Sequence, residues 1–183
     1  MPSIKEKKNG KRTEKTGTAL VPRTSGNLGV IDALTRHLAN AVVLYFNYKK
    51  YHWESAGPQF RDLHLLFDEQ ATILYTSWDV IAERIRIIGG HAIHTPTEIE
   101  KHATVVTATE QPMAIDAMLQ QARENTLKVI GELKVAITHA DSAGDPGSED
   151  LFIQSLREYE KQAWFLREVL ATRNSAELKA TAN

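Results

Sequence analysis

His64, Asp68, Asp79 and Glu83 have the side-chain types and the spacing to hold a metal ion. On a helix of 100° per residue, the steps 64→68 and 79→83 each advance about 40°, and 68→79 about 20°. All then share one stripe, roughly 100° round from the apolar seam of the same segment. His64/Asp68 and Asp79/Glu83 are i,i+4 pairs, close enough to act jointly. The chain has no cysteine, which removes disulfides, thiolate nucleophiles and Cys-ligated zinc or iron–sulfur sites. Imidazole plus carboxylate suits iron and leaves coordination positions open for an oxidant. His52, just before a Gly57–Pro58 turn, can approach His64 once the chain folds back.

One helix cannot close such a site. His64 and Glu83 are 19 residues apart, about 28 Å at 1.5 Å per residue. Metal–ligand bonds are roughly 2 Å, so the two pairs cannot hold the same ion within one chain. An antiparallel copy of the helix, related by a twofold near Ile73–Leu74, would set His64/Asp68 beside Asp79/Glu83 of its mate, giving two equivalent sites per dimer. The competing reading of these four residues is a solvated acidic face with one incidental histidine.

The elements that must position them are helical. Ile31, Leu34, Leu38, Ala41, Tyr45, Tyr48 and His52 recur at steps of three and four, a first helix of roughly 25 residues. Gly57–Pro58 breaks it, with Pro58 suited to the first turn of the next helix. The second seam is Phe60, Leu63, Phe67, Ala71, Leu74, Trp78, Ile81, Ile85 and Ile88, stopped at Gly89–Gly90. A third helix is expected from about Pro112 to Ala140, and a fourth, carrying Phe152, Tyr159 and Leu166, after a loop Asp141–Ser148. The long link between the second and third contains Thr97-x-x-Glu100, a capping box that starts a short helix. These elements predict an all-α four-helix bundle with one crossover.

The sequence of 183 residues, 42% hydrophobic and 25% charged, suits one domain with tails. Its net charge of −1 conceals an asymmetry, because residues 1–26 hold seven basic and two acidic side chains. We expect a disordered basic arm over 1–26, the bundle over 27–172 and a flexible tail over 173–183. No run of about 18 apolar residues and no signal-like apolar core occur, so a soluble cytoplasmic protein with no membrane contact is expected.

The run Tyr51-His52-Trp53-Glu54-Ser55-Ala56-Gly57-Pro58-Gln59-Phe60, then Leu63-His64-Leu65-Leu66-Phe67-Asp68, then Asp79-Val80-Ile81-Ala82-Glu83-Arg84 and Gly89-Gly90, resembles the Dps family of DNA-protection-during-starvation ferritins. The H-W, G-x-x-F, H-x-x-x-D and D-x-x-A-E-R elements occur in order at the family's spacing, Trp164 on the last helix also matches, and the overall look is nearest the DpsA-like branch. The resemblance implies a ferritin-like bundle assembled as a hollow homododecamer. It implies oxidation of Fe(II), preferably by hydrogen peroxide, at di-iron ferroxidase centres across twofold interfaces, and storage of ferric iron inside. By the same resemblance, His52, His64 and Asp68 come from one subunit and Asp79 and Glu83 from its mate, with zinc a possible competitor for these ligands. Trp53 is either the family's redox-active aromatic or an indole packed at the interface. True ferritins and bacterioferritins instead use Glu-x-x-His inside the bundle, and no Glu here has a His three residues on.

Asp141, Asp145, Glu149 and Asp150 crowd the turn into the last helix. The resemblance gives them an iron-entry pore role, while Asp145 and Ser148 also read as helix caps. His91, His94 and His102 surround the linker helix, either as a further transition-metal site or as surface histidines. Lys5, Lys7, Lys8, Lys11, Arg12 and Lys15 on the arm, repeated over twelve copies, suit sequence-independent DNA binding and a nucleoid-associated location. The competing functional reading is a nucleoid-binding architectural protein with a vestigial metal site.

Overall fold

The computed structural model describes the backbone fold of residues 25–181 and the side chains of 27–171. The basic arm and its Lys5, Lys7, Lys8, Lys11, Arg12 and Lys15 lie outside the described residues. There are five helices and no strand among the described residues: α1 (Ser25–Glu54), α2 (Phe60–Ile87), α3 (Pro96–His102), α4 (Ile115–Ser142) and α5 (Pro146–Thr181). The α1/α2 and α4/α5 pairs are each joined by a short turn, and they pack through α1 on α4 and α2 on α5. The crossover between α2 and α4 carries α3, which lies on α1. This is the four-helix bundle with one crossover that the periodicity predicts. No described helix is long and apolar enough to cross a membrane.

The seams converge on one core that includes Leu34, Leu38, Tyr48, Phe67, Leu74, Ile81, Ile85, Leu119, Val129, Phe152 and Leu166. Phe60 is a correction: it heads the seam of α2 by spacing but is 45% exposed. At the first position of the helix it lies beyond the core and its ring packs 5.0 Å from that of His64. The stop at Gly89 works through its positive φ of 85°, a backbone region open to glycine. Gly90 must also be small, since a Cβ there would meet the Ile85 side chain at 2.7 Å.

Three boundaries differ from expectation. The capping box is Thr95–Glu98, not Thr97–Glu100: the Thr95 hydroxyl accepts from the Glu98 N–H, Glu98 accepts in return from the Thr95 N–H, and Pro96 takes the first helical position. The last helix starts at Pro146 and not after Ser148, because Asp145 caps it. It then runs as helix to Thr181, through most of the segment expected as a C-terminal tail.

The extended part of the crossover has no sheet to satisfy its backbone, and buried asparagines do so instead. Asn40 accepts from the Thr104 N–H at 2.8 Å. Asn47 donates to the Val106 carbonyl and accepts from the Ala108 N–H, both at 2.8 Å. Asn125 on α4 accepts from the Val106 N–H and donates to its carbonyl, again at 2.8 Å. Three amide side chains thus do the work of a neighbouring strand, as buried peptide groups require.

Candidate metal centre

The α1–α2 turn brings His52 and His64 face to face, their rings stacked at 3.6 Å between centroids with 20° between planes. Each ring pairs with the other residue's backbone: His52 Nδ1 lies 2.7 Å from the His64 carbonyl, and His64 Nδ1 2.8 Å from the His52 carbonyl. A carbonyl only accepts, so each Nδ1 must donate its N–H. That fixes both tautomers and leaves each Nε2 lone pair free for a metal ion. The stack is half-buried, so the rings are oriented by main chain as well as by packing.

Asp68, one turn on from His64, lies 3.9 Å from His52 Nδ1. Its Oδ1 also accepts from the Lys49 ammonium at 2.8 Å. The Lys49 hydrogen bond, aided by the positive field of Lys49, holds the Asp68 carboxyl below its ordinary range. Lys49 was not singled out by sequence; its position, three residues before His52 on α1, is the signal that could have found it. The lysine charge stands where a bound cation would compete with it. Lys49 Nζ also lies 5.7 Å from the centroid of Trp53, which is 70% exposed beside His52.

Asp79 and Glu83 fall at the other end of α2, exposed, with no hydrogen bond or ion pair among the described residues. The chain therefore brings His52, His64 and Asp68 to one end of α2, without drawing three of their donor atoms within 4.8 Å of one another, and leaves the second pair apart from them. Between and around the two halves, α2 exposes Leu65 at 42%, Tyr75 at 56%, Val80 at 56% and Ile87 at 43%.

Arg84, the last residue of D-x-x-A-E-R, serves the fold. Its guanidinium pairs with Asp145 and donates from Nε to the Ser148 hydroxyl at 2.9 Å, tying α2 to the start of α5. It lies over Gly147, where a Cβ would stand 2.8 Å from Nη2. Asp145 accepts in addition from the Ser148 N–H at 3.0 Å and hydroxyl at 2.7 Å. Burial pushes the Asp145 carboxyl up, but the Ser148 hydrogen bonds and the Arg84 charge outweigh it and hold the group low. Asp145 is thus engaged as cap and ion-pair partner, while Asp141 and Asp150 of the same turn are exposed and Glu149 is half-buried.

The linker histidines separate. Among the described residues, only His91, His94 and Glu98 place three donor atoms within 4.8 Å of one another; His102, in the last turn of α3, lies outside that group. His37, for which spacing gave no reading, is buried against Phe152 and Tyr159 and its Nε2 lies 3.0 Å from the Ser155 hydroxyl.

Comparison with known proteins agrees with this architecture. Residues 31–175 match the family described as Ferritin-like domain. The DNA protection during starvation protein of Brevibacillus brevis is 35% identical over 137 residues, 75% of this chain and 91% of that protein. The X-ray structure of Dps from Thermosynechococcus elongatus superposes with a TM-score of 0.78 at 39% identity, covering 80% of this chain and 93% of that one. A Dps protein from Vibrio cholerae O1, described as a member of a broad superfamily of ferritin-like diiron-carboxylate proteins, gives 0.75 at 28% identity over 80% of this chain and 91% of its own. With the bundle, its crossover helix and the paired histidines of the α1–α2 turn, these likenesses place the chain in the Dps family of ferritin-like proteins.

Proposed function

We propose that this Dps-family protein assembles as a hollow dodecamer, oxidises Fe(II) at centres completed across twofold interfaces, and stores the ferric product within the shell. The preferred oxidant is hydrogen peroxide. Two ferrous ions each give up one electron, and peroxide takes both as its O–O bond breaks to hydroxide. Removing Fe(II) and peroxide together withholds both reagents for hydroxyl-radical formation, which protects DNA. The site residues of one subunit are His52, His64 and Asp68, and those of its mate Asp79 and Glu83; Zn(II) competes for the same donors. Trp53, beside His52, is placed to donate an electron or to pack against the mate. Asp141, Glu149 and Asp150 draw cations to an entry pore, and the N-terminal arm binds DNA through phosphate contacts.

The observation that carries this reading is the pair of reciprocal Nδ1–carbonyl hydrogen bonds, which presents two free Nε2 atoms at one end of α2, while two acids without partners among the described residues stand about 22 and 28 Å along the helix. The twofold requirement has its own test. His64→Ala and Asp79→Ala each disable every centre of their own assembly. Dissociated and reassembled together at random, they should recover about a quarter of the wild-type centres, because each mixed dimer rebuilds one intact centre and loses the other. Stopped-flow Fe(II) oxidation reads the recovery. A mixture as slow as either parent, with mixed particles shown by mass, would remove the intersubunit centre.

For the arm, deletion of residues 1–26 should abolish DNA binding in a gel shift and leave iron oxidation unchanged. A shift that survives the deletion, or that is insensitive to salt, rules out the arm as the DNA contact.

A further inference from the structure

The His91–His94–Glu98 group belongs to neither half of the proposed centre. It lies between the stop of α2 and the first turn of α3, and both flanks are fixed. Gly90, just before His91, donates its N–H to the Ile85 carbonyl at 2.8 Å and accepts from Arg86 Nη1 at 2.8 Å. Glu98 is held by the capping box: its Oε2 accepts from the N–H groups of His94 and Thr95 and from the Thr95 hydroxyl, at 3.2, 3.1 and 2.9 Å. Oε1 makes no hydrogen bond among the described residues. The Thr95 hydroxyl and the two backbone N–H groups hold this carboxyl down to about 2.

The two imidazoles face each other edge to face, 6.2 Å between centroids at 82°. His94 Nδ1 lies 3.7 Å from Glu98 Oε2. Donors around a tetrahedral ion with bonds of about 2.1 Å are roughly 3.4 Å apart, so the 4.8 Å span of this group closes with a small swing of two exposed rings. The carboxylate needs no movement. Both histidines are exposed, so water can complete the coordination shell.

We infer that His91, His94 and Glu98 form a second metal site, specific for a divalent ion of the zinc, copper and nickel class, which joins the end of α2 to the start of α3. Two nitrogens and one oxygen suit these ions above calcium or magnesium, which prefer oxygen alone. The site is built wholly within one chain, in contrast to the centre proposed for iron.

The test is a Zn(II) titration of the full-length assembled protein, read by calorimetry and by metal analysis after dialysis. The wild type should hold one more equivalent of zinc per subunit than His91→Ala/His94→Ala. Glu98→Gln keeps an acceptor for the capping box but removes the charge, and should weaken that equivalent about tenfold. Peroxide-driven Fe(II) oxidation should be the same in all three proteins. Equal zinc content in wild type and double variant overturns the site, as does Glu98→Gln binding with unchanged affinity.

Discussion

The two ends of α2 carry equivalent chemistry and opposite surroundings. At the N-terminal end, His52 and His64 are locked to each other's backbone and Asp68 is paired with Lys49. At the C-terminal end, Asp79 and Glu83 are exposed and without protein partners among the described residues. Histidines must be oriented to offer the correct nitrogen, and only a folded turn can do that. Carboxylates present equivalent oxygens and can wait unrestrained for an ion. The first end is a preorganised receptor and the second an incomplete one. A helix that orders only one half of a centre leaves the other half to assembly.

Removing the open half should therefore affect function far more than fold. Loss of outer-sphere partners alone costs metal sites about 10–100-fold, so Asp79→Ala/Glu83→Ala should slow Fe(II) oxidation by about 100-fold or more. Its unfolding free energy should stay within about 0.5 kcal/mol of the parent, as for exposed side chains. A large stability loss would break the comparison. Arg84→Ala, one residue along, should do the reverse. It separates α2 from the α5 cap by breaking a mostly buried ion pair, at about 3 kcal/mol in chemical denaturation, while assembled particles still oxidise iron.

Acid sharpens the contrast once its background is removed. Burial lowers His37 to about 4, whereas in the unfolded chain it titrates near 6.5. Between those values the unfolded state binds a proton that the folded state refuses. Stability should fall as pH drops through that window, by about 3 kcal/mol in all. His37→Leu should flatten the window. The residual slope then reports the carboxyls held low in the fold, Asp68 together with Asp145 and Glu98: their contribution is present above the unfolded values and is lost as pH falls through the folded ones.

The smallest effect tests the lysine. Lys49→Met frees Asp68 from a partly exposed ion pair, worth about 1 kcal/mol or less. It should raise Co(II) affinity at the centre several-fold and make Asp68 titrate closer to an ordinary carboxylate. Unchanged affinity would mean that Lys49 does not compete with the ion.

Much of this was legible in the sequence. Three- and four-residue spacing located the four long helices, because burial of one face imposes that period, and the stripe on α2 followed from the same geometry. Phe60 failed because a seam says nothing about where the core ends along the helix. The capping box slipped by two residues because Thr95 and Thr97 both precede a glutamate at the right distance; Pro96 decides between them. The pairing of His52 with the His64 backbone could not be read from spacing, since it depends on the orientation of both rings. Asn40, Asn47 and Asn125 were missed entirely, because a polar residue on a buried face carries no periodic mark of its partner.

Those asparagines have a consequence for solvent access. The amides of Thr104, Val106 and Ala108 are held by side chains of α1 and α4, so deuterium can reach them only when the crossover lifts away from the bundle. Loops ordinarily label within moments, but this one should label as slowly as the helix centres, turning a connecting segment into a gauge of how often the whole bundle opens.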